Sequence, residues 1–305
     1  GQIVPAQGFR QCSLPNLPKG MFRNLSRRYA MPNIADLNIV FRGAGDVASG
    51  AALRLYNAGL LRIIMLEIPR PMAVRRTVSF SEAVYDGEVT VEGVRAKLAV
   101  SSTDIPALWK EEVLPVLVDP EGLLIRNMKP DVVIEATIAK RNIGVSMADA
   151  PLVIGVGPGF TAGKDVHCVI ETNRGFTMGR LYRSGSAAPN TGNPGIVMGY
   201  SVERVLRAPC SGRFETNLDI GDRVEAGASV GTVNGQPVIS QIGGILRGLL
   251  RAGLDVEKGA KMGDVEPRDD IGFNRCSDKG MAVGGALLEA IIAYALNREP
   301  NCREA

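Results

Sequence analysis

The chain is short of histidine, cysteine, aromatic residues and net charge, and each shortage excludes something. A single histidine, His167, stands among 305 residues, so a multi-histidine metal site within one chain is ruled out. Five cysteines, at 12, 168, 210, 276 and 302, are odd in number and scattered without a C-x-x-C pair. That fits neither a disulfide framework nor a zinc knuckle, and a reducing cytoplasm is the simplest setting. A net charge of only +3 leaves no global nucleic-acid footprint. No apolar run approaches the ~20 residues of a membrane span. Neither nucleic acid nor a membrane is therefore expected as a partner.

Glycine is plentiful, at 36 residues, and predicts many turns and tight backbone sites. Hydrophobic residues at 45% and charged residues at 22% are ordinary for a globular chain long enough for two cores. Residues 1–33 hold prolines, arginines and no sustained periodicity, and read as an arm-like N-terminal extension. An apolar run from Leu37 to Phe41 then feeds Gly43-Ala-Gly-Asp-Val-Ala48, followed by a helical pattern. This is the G-x-G-x-x-A form of a strand-to-helix phosphate loop. Gly43 allows the turn, Gly45 and Asp46 lie where backbone approaches a phosphate, and Ala48 lets helix and strand pack closely. A phosphate there would meet free N–H groups and the positive end of the helix dipole.

Leu61 to Leu66 reads as a second parallel strand, closed by Glu67. Glu67 is either the acid that bonds a ribose hydroxyl or simply a polar strand end. Arg75 and Arg76 suit an anion, or equally a solvated basic turn. Alternating residues from Val89 to Leu98 predict a small antiparallel excursion. Asp131–Thr137 and Leu152–Gly155 are further strand candidates, and strands alternating with helices point to a doubly wound sheet. A second glycine loop, carrying Gly157 and Gly159, leads to Asp165, His167, Glu171 and Arg174. On a strand Asp165, His167 and Glu171 would share one face. His167 is either a satisfied structural residue or a ligand contact.

From about Val202 the texture changes to short strands and evenly spaced glycines. A shift of 32 residues pairs Gly212 with Gly244, Gly221 with Gly253 and Gly227 with Gly259, which marks an internal duplication. Two such halves resemble the biotinyl/lipoyl carrier domain, and Ala208-Pro209-x-Ser-Gly212 matches it. The carrier lysine would fall near Pro237, but no lysine occurs between Lys164 and Lys258, so carrier function is excluded. Residues Gly280 to Asn297 close the chain with helical apolar spacing. Gly284-Gly285 near its start marks close packing.

Several stretches together resemble one family: Arg42–Gly50, Arg75–Gly87, Gly157-Pro-Gly-Phe-Thr-Ala-Gly-x-Asp-x-His167, Ile170–Gly175, Gly185–Gly192 and the glycine repeat. They are similar to the YqeB-type accessory proteins of selenium-dependent molybdenum hydroxylases, themselves distantly similar to XdhC-type molybdenum cofactor factors. The resemblance implies an α/β fold. It comprises a Rossmann-like parallel sheet domain over 34–200, a duplicated β barrel-sandwich (biotinyl/lipoyl-like) over 201–268, and a helix in 269–305 packing back on the first domain. It also implies maturation of a molybdenum hydroxylase client, with molybdopterin dinucleotide or another nucleotide held for processing or insertion. The cofactor-binding residues would be Gly43, Gly45, Asp46, Ala48, Glu67, Arg75, Arg76, Gly157, Gly159, Asp165, His167, Glu171 and Arg174. Two alternatives stand beside it: an NAD(P)-dependent oxidoreductase, and a non-catalytic scaffold docking a partner hydroxylase. Homo-oligomerisation and catalysis are left open.

Overall fold

Strongly apolar stretches of the sequence form the centre of a nine-stranded sheet. The structure, a computed structural model, describes residues 33–190, 192, 194–270 and 272–296, all within one compact unit. The expected N-terminal arm lies outside the described residues except for Asn33, as do Cys12 and Cys302. In chain order the first elements are β1 (Ile39–Arg42), α1 (Asp46–Asn57), β2 (Ile63–Glu67), α2 (Ala83–Asp86), β3 (Glu88–Val91) and β4 (Val94–Ala99). Next come α3 (Ile105–Lys110), β5 (Leu114–Val118), α4 (Leu123–Met128), β6 (Val132–Glu135), β7 (Leu152–Val156), β8 (Cys168–Ile170) and β9 (Leu181–Tyr182).

Their order across the sheet is β3-β4-β5-β2-β1-β6-β7-β8-β9. The inner strands from β4 to β8 pair in parallel. β1, β6 and β7 are buried on both faces, as their unbroken apolar runs require. Both margins are antiparallel: β3 hairpins back on β4, and β9 on β8. The expected Rossmann-like parallel sheet is thus corrected to a mixed sheet. The physical reason is visible in β4, whose burial alternates because one face meets solvent. At the other margin β9 is only two residues long, too short to carry a pattern.

The remaining strands are β10 (Val205–Arg207), β11 (Gly212–Glu215), β12 (Arg223–Val224), β13 (Ser229–Val233), β14 (Gln236–Ile239), β15 (Gly244–Leu249), β16 (Asp255–Val256) and β17 (Lys261–Glu266). They form two four-stranded antiparallel sheets, β10-β17-β15-β12 and β14-β13-β11-β16, around Phe214, Leu246 and Val265. The expected biotinyl/lipoyl-like barrel-sandwich is corrected to this pair of sheets built into the main unit. Glycine spacing sets where the turns fall, but not what the strands between them pack against. Here the segment after β2 binds them firmly. Arg76 donates to the Leu249 carbonyl at 2.7 Å and pairs with Asp219 at 2.6 Å. Arg251 reaches back to Glu82 at 2.9 Å and to Asp86 at 2.6 Å, lying over the Tyr85 ring.

Helix α5 (Asp278–Ala295) lays Val283, Leu287, Ala290 and Ile291 into the core shared by α1 and one sheet face. α3 and α4 cover the other face, with Val40, Ile64, Val133 and Val153 beneath them. No described helix is long and apolar enough to cross a membrane. The α1–α5 crossing is unusually close. A Cβ on Gly280 would lie 3.2 Å from the Gly50 Cα, and one on Gly284 only 2.8 Å from the Arg54 Cβ and 3.2 Å from the Ala51 backbone. The next glycine differs: a Cβ on Gly285 meets nothing within 4 Å.

These neighbours should therefore respond in opposite directions. Gly285→Ala is expected to stabilise by about 1 kcal/mol through helix propensity. Gly284→Ala is expected to destabilise, because overpacking of about 1–3 kcal/mol outweighs the same gain. Urea denaturation of both variants checks this, and shifts of the same sign would show that the helices do not touch at Gly284.

Candidate functional site

In the large sheet β1 feeds a helix on one face, while β6 is reached from α4 on the opposite face. β1 and β6 stay paired to their carboxyl ends, and the chains leaving them turn to opposite faces and leave a crevice beyond the strand ends, the place where open α/β sheets hold ligands. The crevice is a cavity of about 770 Å³. Its floor is Arg42 and Gly43 after β1, Glu67 and Ile68 after β2, and Ala136 to Ala139 after β6. The C-terminal sheets roof it with Arg204, Arg247, Lys261 and Asp264, and the start of α5 adds Ser277 and Lys279.

The backbone here is held tightly. Gly43 takes φ 93°, and a Cβ on it would lie 3.0 Å from the Thr137 backbone, so β1 and β6 close on each other only through glycine. Ile138 is held at φ 55°, a costly conformation for a β-branched residue and one that clusters at ligand sites. Gly45 is different: its φ of −68° suits any residue, and a Cβ there would point into open space. Gly45, Asp46 and Val47 line the cavity at the start of α1, whose end has no side-chain cap. Its first-turn N–H groups are thus offered to the cleft.

Seven cationic and four anionic side chains line the cavity. Five of the cations have a carboxylate partner. Arg42 meets Glu135 at 3.1 Å, Arg204 meets Glu266 at 3.0 Å, and Arg247 and Lys261 share Asp264 at 2.8 and 3.8 Å. Arg174 grips Asp278 with both terminal nitrogens. Arg75 and Lys279 have no carboxylate partner among the described residues. Arg75 is 5% exposed; its Nη2 donates to the Phe273 and Arg275 carbonyls at 3.1 and 2.9 Å, while Nε and Nη1 are buried without a partner. Burial, with Arg247 adding to it, holds its pKa below the ordinary arginine value.

Of the residues singled out from the sequence, Gly43, Gly45, Asp46, Glu67, Arg75 and Arg174 come together on this cavity. Ala48 is buried beneath it in the sheet–helix core. Glu67 turns back on the loop, accepting from the Ala44 N–H at 2.7 Å and its neighbour Ile68 N–H at 2.9 Å. Burial holds its carboxyl above the usual range. That geometry suits the polar strand end, one of the two readings open for Glu67. Arg76 is spent on the C-terminal sheets, which roof the cleft.

The second glycine loop lies outside this cavity, its Pro158 lining a smaller adjoining one. A Cβ on Gly157 would strike the Thr172 hydroxyl at 2.9 Å, and one on Gly159 the Arg141 backbone at 2.5 Å, so these glycines serve close packing. Asp165 and His167 precede β8 and do not share a strand face with Glu171. Asp165 accepts from the Thr161 N–H at 2.8 Å, and Glu171 from the Asn173 and Ala188 N–H groups, each at 2.7 Å. His167 Nδ1 accepts from the Val153 N–H at 3.0 Å, and burial keeps its pKa below the ordinary value. Arg42, Arg247 and Lys279 were missed. Arg42 directly precedes the glycine loop, and a lysine in the first turn of a helix, as at 279, opposes the helix dipole; both are readable signals.

No family model matches the chain. A curated relative does: a protein of Escherichia coli (strain K12) named uncharacterized protein YqeB, 48% identical over 255 residues, 83% of this chain and 47% of the relative. The chain thus spans about half the length of the curated relative it matches. Solved structures with some likeness include a succinylglutamate desuccinylase/aspartoacylase from Rhodobacter sphaeroides, 14% identical, covering 77% of this chain and 87% of that one at a TM-score of 0.25. Another is an aspartoacylase family protein from Mesorhizobium loti, also 14% identical, with 76% and 85% covered and a TM-score of 0.25. Likeness at that level carries neither fold nor activity across. No comparison supports the expected molybdenum cofactor accessory role or the XdhC similarity: the relative's name states no such role. With 48% identity to YqeB running along 83% of its length, the chain belongs to the YqeB family.

Proposed function

We propose that the crevice binds a small anionic molecule, seating a phosphate or carboxylate group on the start of α1 against Arg75. One observation carries this reading: Arg75 is buried in the cavity wall with two nitrogens unpartnered and no ion-paired carboxylate among the described residues, Asp46 and Asp264 acting on it only from beyond contact. A buried, unpaired cation is costly, and an incoming anion relieves that cost. The uncapped first turn of α1 and the open space beside Gly45 give the anion its remaining donors and its room. Reduced Cys168, Cys210 and Cys276 fit the reducing cytoplasm that we propose as its setting.

Sulfate is a suitable probe because it does not titrate near neutrality. Calorimetric titration is expected to show binding that Arg75→Met weakens about tenfold or more, the scale of one charge-assisted hydrogen bond. Gly45→Ala should keep stability within about 1 kcal/mol, yet also weaken binding, since its methyl group enters the space the anion needs. Wild-type affinity in both variants would overturn the assignment.

Glu67 adds a pH dependence of known sign. Its carboxyl, raised first by burial and then by nearby Glu82, is neutral at low pH and becomes an anion beside the site as pH rises through its elevated pKa. Sulfate affinity is therefore expected to fall with rising pH across a window above the ordinary glutamate value of about 4.3. Glu67→Gln should bind more tightly and flatten that profile. An unchanged slope in the variant would remove Glu67 from the neighbourhood of the anion.

A further inference from the structure

Lys279 is the second cation of the cleft without an ion pair among the described residues, and its placement is the stranger of the two. Ser277 caps α5, its hydroxyl accepting from the Gly280 N–H at 3.1 Å, so Lys279 falls in the first turn. There the helix dipole opposes a positive charge. The adjacent carboxylate of Asp278 is already held by both arms of Arg174, one at 2.8 Å. Half-buried, Lys279 has its amine pKa lowered by burial and then by Arg174.

Its location explains what would use such a group. Lys279, Arg174, Pro194 and Gly195 line the main cleft and also an adjoining cavity of about 340 Å³. They form the wall common to both. Thr172, Asn173 and Asn190 line the smaller lobe, and among the described residues its wall has two cations and no carboxylate. Arg174 is already paired with Asp278, which leaves Lys279 as the cation of this wall without an ion pair, Asp46, Asp278 and Glu171 acting on it only from beyond contact.

Resting on the anion site at α1, we infer that the smaller lobe is a second anion subsite. The ligand then belongs to the class of small molecules with an anionic group at each end. One group sits against Arg75 and the α1 start, the other against Lys279, with the chain between them crossing the shared wall. Lys279 is on this view a binding residue that selects two-ended ligands over single anions.

The test is calorimetric titration of the full chain with inorganic phosphate and with a series of α,ω-alkanediol bisphosphates of increasing length. At least one bisphosphate is expected to bind about tenfold or more tightly than phosphate, because the second contact becomes intramolecular. Lys279→Met should abolish that preference, and Lys279→Arg should retain most of it, since a charge-assisted contact survives. Circular dichroism and urea denaturation confirm that both variants fold. If phosphate binds but no bisphosphate surpasses it, the second subsite is wrong while the first stands. If Lys279→Met weakens phosphate and bisphosphate alike, Lys279 belongs to the first site and the inference falls. If neither ligand binds the wild-type chain, both readings fail together.

Discussion

The contact on which the rest of the molecule depends is the crossing of α1 and α5 through glycine. Gly50 and Gly280 bring two helix backbones within touching distance, and Gly284 continues the contact one turn further on. Because the crossing lies near the amino end of each helix, both helix starts come to the same crevice. A side chain at any of the three positions would push α5 outward and take Ser277 and Lys279 with it. Glycine costs helix stability at such places, about 1 kcal/mol each, and that cost is offset here by a site that neither helix makes alone.

Charge pairing then separates structure from function within the cleft. Arg42, Arg204, Arg247 and Lys261 each sit against a carboxylate, so they order the walls. Such buried pairs contribute little net stability, because desolvation consumes most of the attraction, but removing one partner is expensive. Arg204 and Glu266 illustrate this: both are almost wholly buried, and Arg268 also pairs with Glu266 at 2.8 Å. Arg75 lacks that protection. Its nearest described partners are two carbonyls on one nitrogen, which satisfy hydrogen bonds without neutralising charge.

The parallel centre of the sheet was legible in the sequence because buried strands have a local signature. Ile39–Phe41, Val132–Ile134 and Leu152–Val156 are runs without a polar side chain, and they form the body of β1, β6 and β7. The glycine loop was legible for the same reason: turn and helix start follow one another in the chain. What failed was non-local. Nothing near Arg75 and Arg76 in the sequence says that one faces the cleft and the other holds Leu249 and Asp219, because those partners lie 173 and 143 residues after Arg76. Glycine required for tight backbone packing, as at Gly157 and Gly159, looks the same in a sequence as glycine required for a ligand.

The C-terminal sheets add the last constraint. They share the main compact unit, and their strands β15 and β17 supply Arg247, Lys261 and Asp264 to the cleft roof. The pins that hold them are Arg76, Arg251 and the Leu249 N–H bond to the Val74 carbonyl at 2.8 Å, all converging on the segment between β2 and β3. That same segment carries Arg75. Any shift of the roof therefore pulls on the backbone next to the unpaired guanidinium. Occupancy of the crevice and seating of the roof are mechanically joined through residues 74–76. An anion that fixes Arg75 also fixes the segment on which the roof is hung.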